Sequence, residues 1–172
     1  MAQKARQMII TDIHDFLTYY EKIRARTKRV IAVIPPDQLE WTYAEGKFTF
    51  GDLIRHLACI ERYMYAETIQ SKPSRYKGCG QDLASGYDNV LGFFDQLHEE
   101  SVSIFQKVDN PGLQEKCLTP GGAPITIWKW LRAMIEHEVH HRGQIYVYLG
   151  MLGIKTPPLY GLTSEEVIDR SI

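Results

Sequence analysis

Residues 126–150 read TIWKWLRAMIEHEVHHRGQIYVYLG, and this stretch decides the fold class. Its apolar residues recur every three to four positions, which is the period of one face of an α-helix. That face carries Ile127, Trp130, Leu131, Met134, His137, His141, Ile145 and Tyr148. Glycine favours helix C-termini and proline cannot resume a helix, so the helix ends near Gly150 or Gly153, before Pro157 and Pro158. The stretch predicts a long helix with two histidines on its apolar side.

Three earlier segments have the same period. They run from about Thr11 to Val33, from Thr49 to Ile69 and from Gly86 to Val108. The second segment places Leu53, Leu57, Ile60 and Met64 on one face, and Thr49 and Asp52 have capping-box spacing at its start. Proline- and glycine-rich stretches, such as SKPSRYKGCG and TPGGAP, separate the segments and indicate loops. SEEVIDR near the C-terminus predicts a short helix, and KFTF before the second helix is a possible strand.

Four amphipathic helices of this length can bury their apolar faces against one another. The sequence therefore predicts an all-α four-helix bundle, with residues 1–172 forming a single domain. Helix direction is left open at this point, because the second and third connections are long enough to cross over the bundle.

Composition excludes several classes of protein. The net charge is -1, from 20 basic and 21 acidic residues, so no basic surface for nucleic acid is expected. No run approaches the roughly 20 apolar residues of a membrane span, and the first ten residues lack a signal-peptide core. The three cysteines form no C-x-x-C pair, which is typical of a reducing compartment. We expect a cytoplasmic protein without membrane or nucleic-acid contacts.

His137 and His141 are four positions apart on the apolar face of the fourth helix. Side chains at this spacing are neighbours, about 5–6 Å apart at Cβ. Buried ring nitrogens need a partner, and a single metal ion bound by both rings would provide one. The alternative is a pair of core histidines hydrogen-bonded to backbone or tyrosine groups. His140 points about 60° away from His137 and is expected to face a groove or solvent.

A third ligand must come from another helix, and the candidates are His14, His56 and His98. His56 lies among apolar residues, between Leu53 and Ile60, whereas the other two have acidic or polar neighbours and are expected on solvated faces. Cys59 is a further candidate, although a buried free cysteine is usually a small core residue. Three histidines would leave positions open for water or substrate, and imidazole ligands suit zinc, nickel, copper, cobalt or iron.

Residues 137–141 also match H-E-x-x-H, the signature of zinc metalloproteases in which the glutamate is the general base. The metzincin extension needs glycine at position 144 and histidine at 147, where this chain has Gln144 and Val147. The extension therefore does not support a protease.

A di-iron bundle requires a Glu-x-x-His pair on each of two helices and two further glutamates. Glu138 and His141 form one such pair, and the nearest second pair is Asp95 with His98. An aspartate in place of glutamate makes the di-iron interpretation weak.

Three stretches resemble the DinB-like family, within the wider group of YfiT-type proteins proposed to be metal-dependent hydrolases. They are FTFGDLIRHLACIERYMYAET at 48–68, HEVHHRGQIYVYLGMLG at 137–153 and TPPLYG at 156–161. The resemblance implies an up-down-down-up four-helix bundle, commonly a homodimer, in which His56, His137 and His141 hold one divalent metal, zinc or nickel. It also implies a metal-dependent enzyme acting on a small molecule, either a hydrolase or a transferase that uses a low-molecular-weight thiol.

Further residues are candidates for supporting roles. Glu138 or Glu61 is a candidate base, the alternative being that each is solvated or paired with Arg142 or Arg62. Gln144, one turn beyond His141, is a candidate to orient a ligand, and Tyr63 is a candidate pocket residue. The opposing hypothesis is a non-catalytic helical dimer whose metal site is structural or vacant.

Overall fold

The computed structural model describes residues 10–171, and its long helices lie where the periodicity predicts them. The α-helices are α1 (Ile13–Ile31), α2 (Phe50–Ile60), α3 (Ala66–Thr68), α4 (Tyr87–Phe105), α5 (Ile127–Met151) and α6 (Ser164–Arg170). Short 3₁₀ turns span Pro36–Gln38 and Gly112–Gln114. A π-helical turn, Glu61–Tyr65, joins α2 to α3, so that the second predicted helix is continuous.

The π-helical turn changes which residues of the second helix face the core. A regular α-helix that buries Leu57 and Ile60 would bury Met64 next, as the sequence pattern predicts. A π turn holds an extra residue, and Tyr65 is buried instead while Met64 is only half-buried. The same turn carries Glu61, which is buried in the middle of the bundle.

The starts of α1 and α2 are fixed by hydrogen bonds from backbone N–H groups to capping side chains. Asp12 caps α1 by accepting from the backbone N–H groups of His14 and Asp15. Thr49 and Asp52 form the predicted capping box at the start of α2. These caps satisfy backbone donors that have no partner within a helix.

A two-stranded antiparallel hairpin precedes α5, and the sequence pattern did not predict it. β1 (Lys116–Leu118) pairs with β2 (Pro124–Thr126) in the register Cys117↔Ile125. The TPGGAP stretch forms its turn, in which Gly122 has φ +81. The strand predicted at KFTF is wrong, because residues 47–50 contain no strand and end in the first residue of α2.

Two apolar clusters fill the bundle, and they fix the direction of each helix. The first cluster contains Ile13 and Phe16 from α1, Tyr65 and Ala66 from the second helix, Phe105 from α4, and Ile127 and Trp128 from α5. The second contains Val30 and Ile31, Phe50 and Leu53, Val90 and Phe94, and Tyr148 and Leu149. Thus α1 and α5 run from the first cluster to the second, while α2 and α4 run from the second to the first. The up-down-down-up four-helix bundle is confirmed.

A polar layer separates the two clusters in the middle of the bundle. Its buried or half-buried members are Arg24 and Thr27 of α1, His56 and Glu61 of the second helix, His98 of α4, and His137, Glu138 and His141 of α5. Most of the candidate ligands and bases are therefore concentrated in one layer.

No helix among residues 10–171 combines the length and apolar character needed to cross a membrane.

Candidate metal centre

The structure brings the three predicted histidines together. His56 projects from α2, and His137 and His141 project from successive turns of α5. The Nε2 atom of His137 lies 3.0 Å from Nε2 of His56 and 3.1 Å from Nε2 of His141. Within residues 10–171 these side chains form the one group of three or more potential ligands whose atoms all lie within 4.8 Å of one another. We call this group the histidine triad.

The spacing of the triad fits a single ion. Two nitrogens that each lie 2.0–2.1 Å from one metal are about 2.9–3.4 Å apart for ligand–metal–ligand angles of about 90–110°. The observed separations of 3.0 and 3.1 Å fall in this range. Hydrogen bonding satisfies the same atoms poorly, because a neutral imidazole has one N–H and His137 Nε2 faces two nitrogens. A divalent ion would accept all three lone pairs.

The protonation of the triad also favours metal binding. Burial, reinforced by the neighbouring imidazoles, lowers the pKa of His56 to about 4 and that of His137 to about 3. Burial lowers the pKa of His141 as well and outweighs the hydrogen bond that His141 donates to Gln144. The rings are therefore neutral near pH 7, which is the form that binds metal.

Outer hydrogen bonds orient two of the three rings. Gln144 Oε1, an acceptor only, contacts Nδ1 of His141, so that Nδ1 carries the proton and Nε2 keeps its lone pair. The hydroxyl of Tyr76 lies 2.7 Å from Nδ1 of His56 and can fix that ring in the same tautomer. Such partners are the usual means by which a protein aims histidine ligands at a metal. The structure thus places Gln144 beside a predicted ligand.

Tyr76 is a site residue that sequence reasoning missed, because it lies in the loop SKPSRYKGCG. Arg55, fully buried and adjacent to His56, holds this loop in place. Its Nε donates to the carbonyl of Cys79 at 2.8 Å and its Nη1 to that of Ala84 at 3.1 Å. The guanidinium is itself paired with Glu40 and Asp52. The signal in the sequence is Arg55 itself: an arginine beside the candidate ligand, in a mainly apolar helix, indicates that another segment packs there and supplies its partners.

Glu138 lies on a different face of α5 from the triad. Its Oε1 accepts a 2.6 Å hydrogen bond from Thr27, and its Oε2 lies 3.2 Å from Nη2 of Arg24. These contacts tie Glu138 to α1, so the geometry offers no support for its predicted role as a base, which stays a prediction. The expected partner Arg142 is instead directed to the backbone carbonyl of Ile23.

Glu61 and His98 complete a buried ionic network with Arg24. Glu61 pairs with Arg24 and accepts from Nδ1 of His98 at 2.9 Å. Nε2 of His98 lies 3.1 Å from Glu21. The expectation that His98 lies on a solvated face is wrong, since it is 8% exposed. The expected pairing of Glu61 with Arg62 is also wrong, because Arg62 binds other carboxylates.

This ionic network occupies the place where a di-iron bundle would hold its ions. One side chain from each long helix contributes, namely Arg24, Glu61, His98 and Glu138. The Arg24 guanidinium lies between the two glutamates and stacks over the Phe94 ring at 4.1 Å. A fixed cation therefore balances the carboxylates, and the di-iron interpretation gains no support.

The remaining candidates are not members of the triad, although the ring of His140 packs against that of His141 at 4.9 Å. The ring of Tyr63 lies 5.5 Å from the guanidinium of Arg62 and 5.3 Å from that of Arg75, so its pocket role stays a prediction. His14 and His140 are exposed, as expected. Cys59 is not part of the group of converging ligand atoms, and burial raises the pKa of its thiol to about 12.

A protein-family model covers most of the bundle, including the three histidines. The family model of the DinB superfamily matches residues 19–145, which include the four long helices for most of their length and all three histidines. The chain belongs to the DinB superfamily. Membership agrees with the resemblance carried by the motifs around His56 and His137.

Individual relatives and solved structures are similar to this chain at low sequence identity. A protein of Oceanobacillus iheyensis, named as a proposed metal-dependent hydrolase, is 20% identical over 157 residues, covering 86% of this chain and 91% of that protein. A DinB-like protein of Bacillus cereus superposes with a TM-score of 0.73 at 20% identity, over 87% of this chain and 99% of the other. YfiT of Bacillus subtilis, described as a proposed metal-dependent hydrolase with an unusual four-helix bundle topology, gives 0.68 at 17% identity, over 89% and 95%. At these identities the structural likeness establishes the fold alone.

Proposed function

We propose that this DinB protein is a metal-dependent hydrolase of a small molecule, with one zinc or nickel ion bound by His56, His137 and His141. The convergence of three Nε2 atoms within one layer of the bundle carries the proposal. The names of the Oceanobacillus relative and of YfiT support the same class of activity.

Three protein ligands leave room for water or substrate, as in catalytic zinc sites, whereas structural zinc sites are normally closed by four protein ligands. A divalent ion held in this way supplies Lewis acidity, which makes a nucleophile available near neutral pH. The chain's own contribution is to hold three neutral imidazoles in fixed orientations. Gln144 does this for His141, and Tyr76 does it for His56.

The proposal includes a homodimer in the cytoplasm. Val139, Val147 and Met151 form an exposed apolar stripe along α5, which is a surface that a second copy could cover. The three free cysteines fit a reducing compartment. Light scattering of the purified protein at micromolar concentration tests the dimer: a mass near 40 kDa is expected, about twice the 19.8 kDa chain, and a mass near that of one chain would contradict it.

Metal analysis tests the central claim. Protein purified without a histidine tag or immobilised metal should contain about one divalent transition ion per chain, and a His137→Ala/His141→Ala variant should contain almost none. His14→Ala is the matched control, because His14 is exposed on α1 and lies outside the triad. Equal, near-zero metal in wild type and double variant would overturn the proposal.

Activity screens then separate the possible reactions. Simple ester and amide substrates test hydrolysis, and the same screen with low-molecular-weight thiols tests thiol transfer, which the family resemblance also implies. Metal-dependent turnover that disappears in the double variant is expected. Bound metal without turnover in either screen would favour the non-catalytic dimer with a structural ion.

A further inference from the structure

An aromatic loop lies beside the histidine triad, and neither the metal site nor the fold accounts for its exposed rings. The loop spans residues 41–48, immediately before α2, and its aromatic members are Trp41, Tyr43 and Phe48. Trp41 anchors it, with its ring 5.8 Å from Phe50 and 5.7 Å from Tyr148. Tyr43 and Phe48 are 50% and 41% exposed. The aromatic loop is therefore packed at its base and open at two rings.

Phe48 lies directly against a candidate ligand. Its ring centroid is 5.7 Å from that of His56, and the two planes are inclined by 32°. The backbone holds it there, since the next residue, Thr49, is fixed by the capping box of α2. Phe48 therefore borders the metal centre from a fixed position, with two-fifths of its surface open to a ligand.

Tyr43 extends the same apolar surface along α5. Its ring meets the ring of Tyr148 edge to face at 5.4 Å. Tyr148 lies four residues beyond Gln144 and seven beyond His141, which places the three residues on one face of α5. The exposed rings thus border the triad on the α2 side and continue beyond it along α5.

We infer that the aromatic loop binds the planar apolar part of the substrate while the substrate's polar group reaches the metal. Small-molecule sites combine a largely apolar lining with a few placed polar groups, and loops on a rigid scaffold often supply the lining. Phe48 can stack with an aromatic or conjugated group next to the reacting centre, and Tyr43 can contact a longer one. The substrate class is a small compound with an aromatic or conjugated group adjacent to a metal-binding carbonyl.

Two hydroxamates test this specificity, because both chelate metal through the same group and only one carries a ring. Cobalt(II)-loaded protein is titrated with acetohydroxamate and benzohydroxamate, and the visible spectrum of the cobalt reports binding. Phe48→Ala should weaken benzohydroxamate about 3- to 10-fold more than it weakens acetohydroxamate, the scale of one aromatic contact. Phe48→Leu should give an intermediate loss, since it keeps an apolar side chain without a planar face.

Tyr19→Ala is the matched control, because Tyr19 is a comparably exposed aromatic (51%) on α1. It should leave both affinities unchanged. An unchanged ratio of the two affinities in Phe48→Ala would overturn the inference, with the metal site intact. Because the inference rests on the proposed function, a spectrum that responds to neither hydroxamate would overturn both, through the absence of an open position on the metal.

Discussion

The middle layer of the bundle contains two polar clusters that differ in how far their members satisfy one another. In the ionic network, Arg24 is paired with Glu61 and Glu138, and His98 contacts two carboxylates, although Nε and Nη1 of Arg24 and Oε2 of Glu138 have no hydrogen-bond partner among residues 10–171. In the histidine triad, three neutral rings direct lone pairs at one point. The opposite charges of the network attract one another, whereas the lone pairs of the three imidazoles cannot bind one another. The triad is therefore the cluster that needs a ligand, and the network is the cluster that holds helices together.

Helix α5 serves both clusters because neighbouring residues project in different directions. Successive side chains of an α-helix point about 100° apart. His137 and His141 therefore face α2, while Glu138 and Arg142 face α1. Helix geometry alone does not separate the glutamate from the histidines, because the H-E-x-x-H helix of a protease has the same spacing. In this chain Glu138 is instead held by Thr27 and Arg24 of α1.

Replacing Arg24 with methionine should give the largest loss of stability. Methionine fills similar space but leaves Glu138 buried without a cation and Glu61 with His98 as its remaining charged partner, and breaking a buried ion pair in this way costs about 3–5 kcal/mol. Urea unfolding of the metal-free protein measures the change. Lys28→Met is the matched control, since Lys28 pairs with Asp95 on the surface and should contribute less than about 1 kcal/mol. Equal losses in the two variants would contradict the distinction between the network and surface pairs.

Replacing His137 with alanine should lower metal affinity strongly and the stability of the metal-free protein little, the reverse of what is expected for the ionic network. Its Nε2 is the atom that contacts both other members of the triad, so metal affinity should fall by more than about 100-fold, beyond the 10- to 100-fold loss typical of an outer-shell partner. The stability of the metal-free protein should change far less than in Arg24→Met. Calorimetric titration with zinc and urea unfolding measure the two quantities. A large loss of metal-free stability with unchanged zinc affinity would assign the triad to packing.

The features that the sequence predicts are those governed by local periodicity. The four long helices, the capping box at Thr49 and the pairing of His137 with His141 all follow from spacing along one segment. His56 was identified by its apolar neighbours and by the family motif. Such features can be predicted because the helix period decides which residues share a face before any tertiary contact is known.

The features that the sequence did not predict depend on contacts between distant segments. His98 appears solvated from its acidic neighbours, yet Glu61 and Glu21 from two other helices enclose it. Tyr76 lies in a loop whose course is set by Arg55, twenty-one residues earlier. The π turn at Glu61–Tyr65 has no established sequence signal and shifts the buried position by one residue. Local propensity carries no information about such partners.

Removing the Tyr76 hydroxyl should weaken the metal site without disturbing the fold. Tyr76→Phe deletes the group 2.7 Å from Nδ1 of His56, so zinc affinity should fall about 10-fold, at the lower end of the range for outer-shell partners. Tyr63→Phe is the control, because the Tyr63 ring contacts Arg62 and Arg75 instead. A comparable loss in Tyr63→Phe would instead support the sequence-based assignment of Tyr63 to the pocket.

The ionic network should make stability depend on pH through His98. Burial lowers the pKa of His98, but the hydrogen bond and negative charge of Glu61 outweigh it, so the pKa is raised above its usual 6.5. Both ring nitrogens face carboxylates, which the doubly protonated ring satisfies and the neutral ring does not. The stabilisation is therefore complete below about pH 6.5 and is lost as the pH rises through the folded-state pKa.

His98→Gln removes this titration and serves as the reference for the pH dependence. The stability difference between wild type and His98→Gln should shrink by about 1 kcal/mol, the scale of one hydrogen bond, between mildly acidic and alkaline pH. Urea unfolding of metal-free protein at a series of pH values measures it. His14→Gln is the control, because His14 is exposed and lies outside the ionic network. A difference for His98→Gln that grows with pH would mean that the network holds His98 neutral, and that Arg24 alone balances the buried carboxylates.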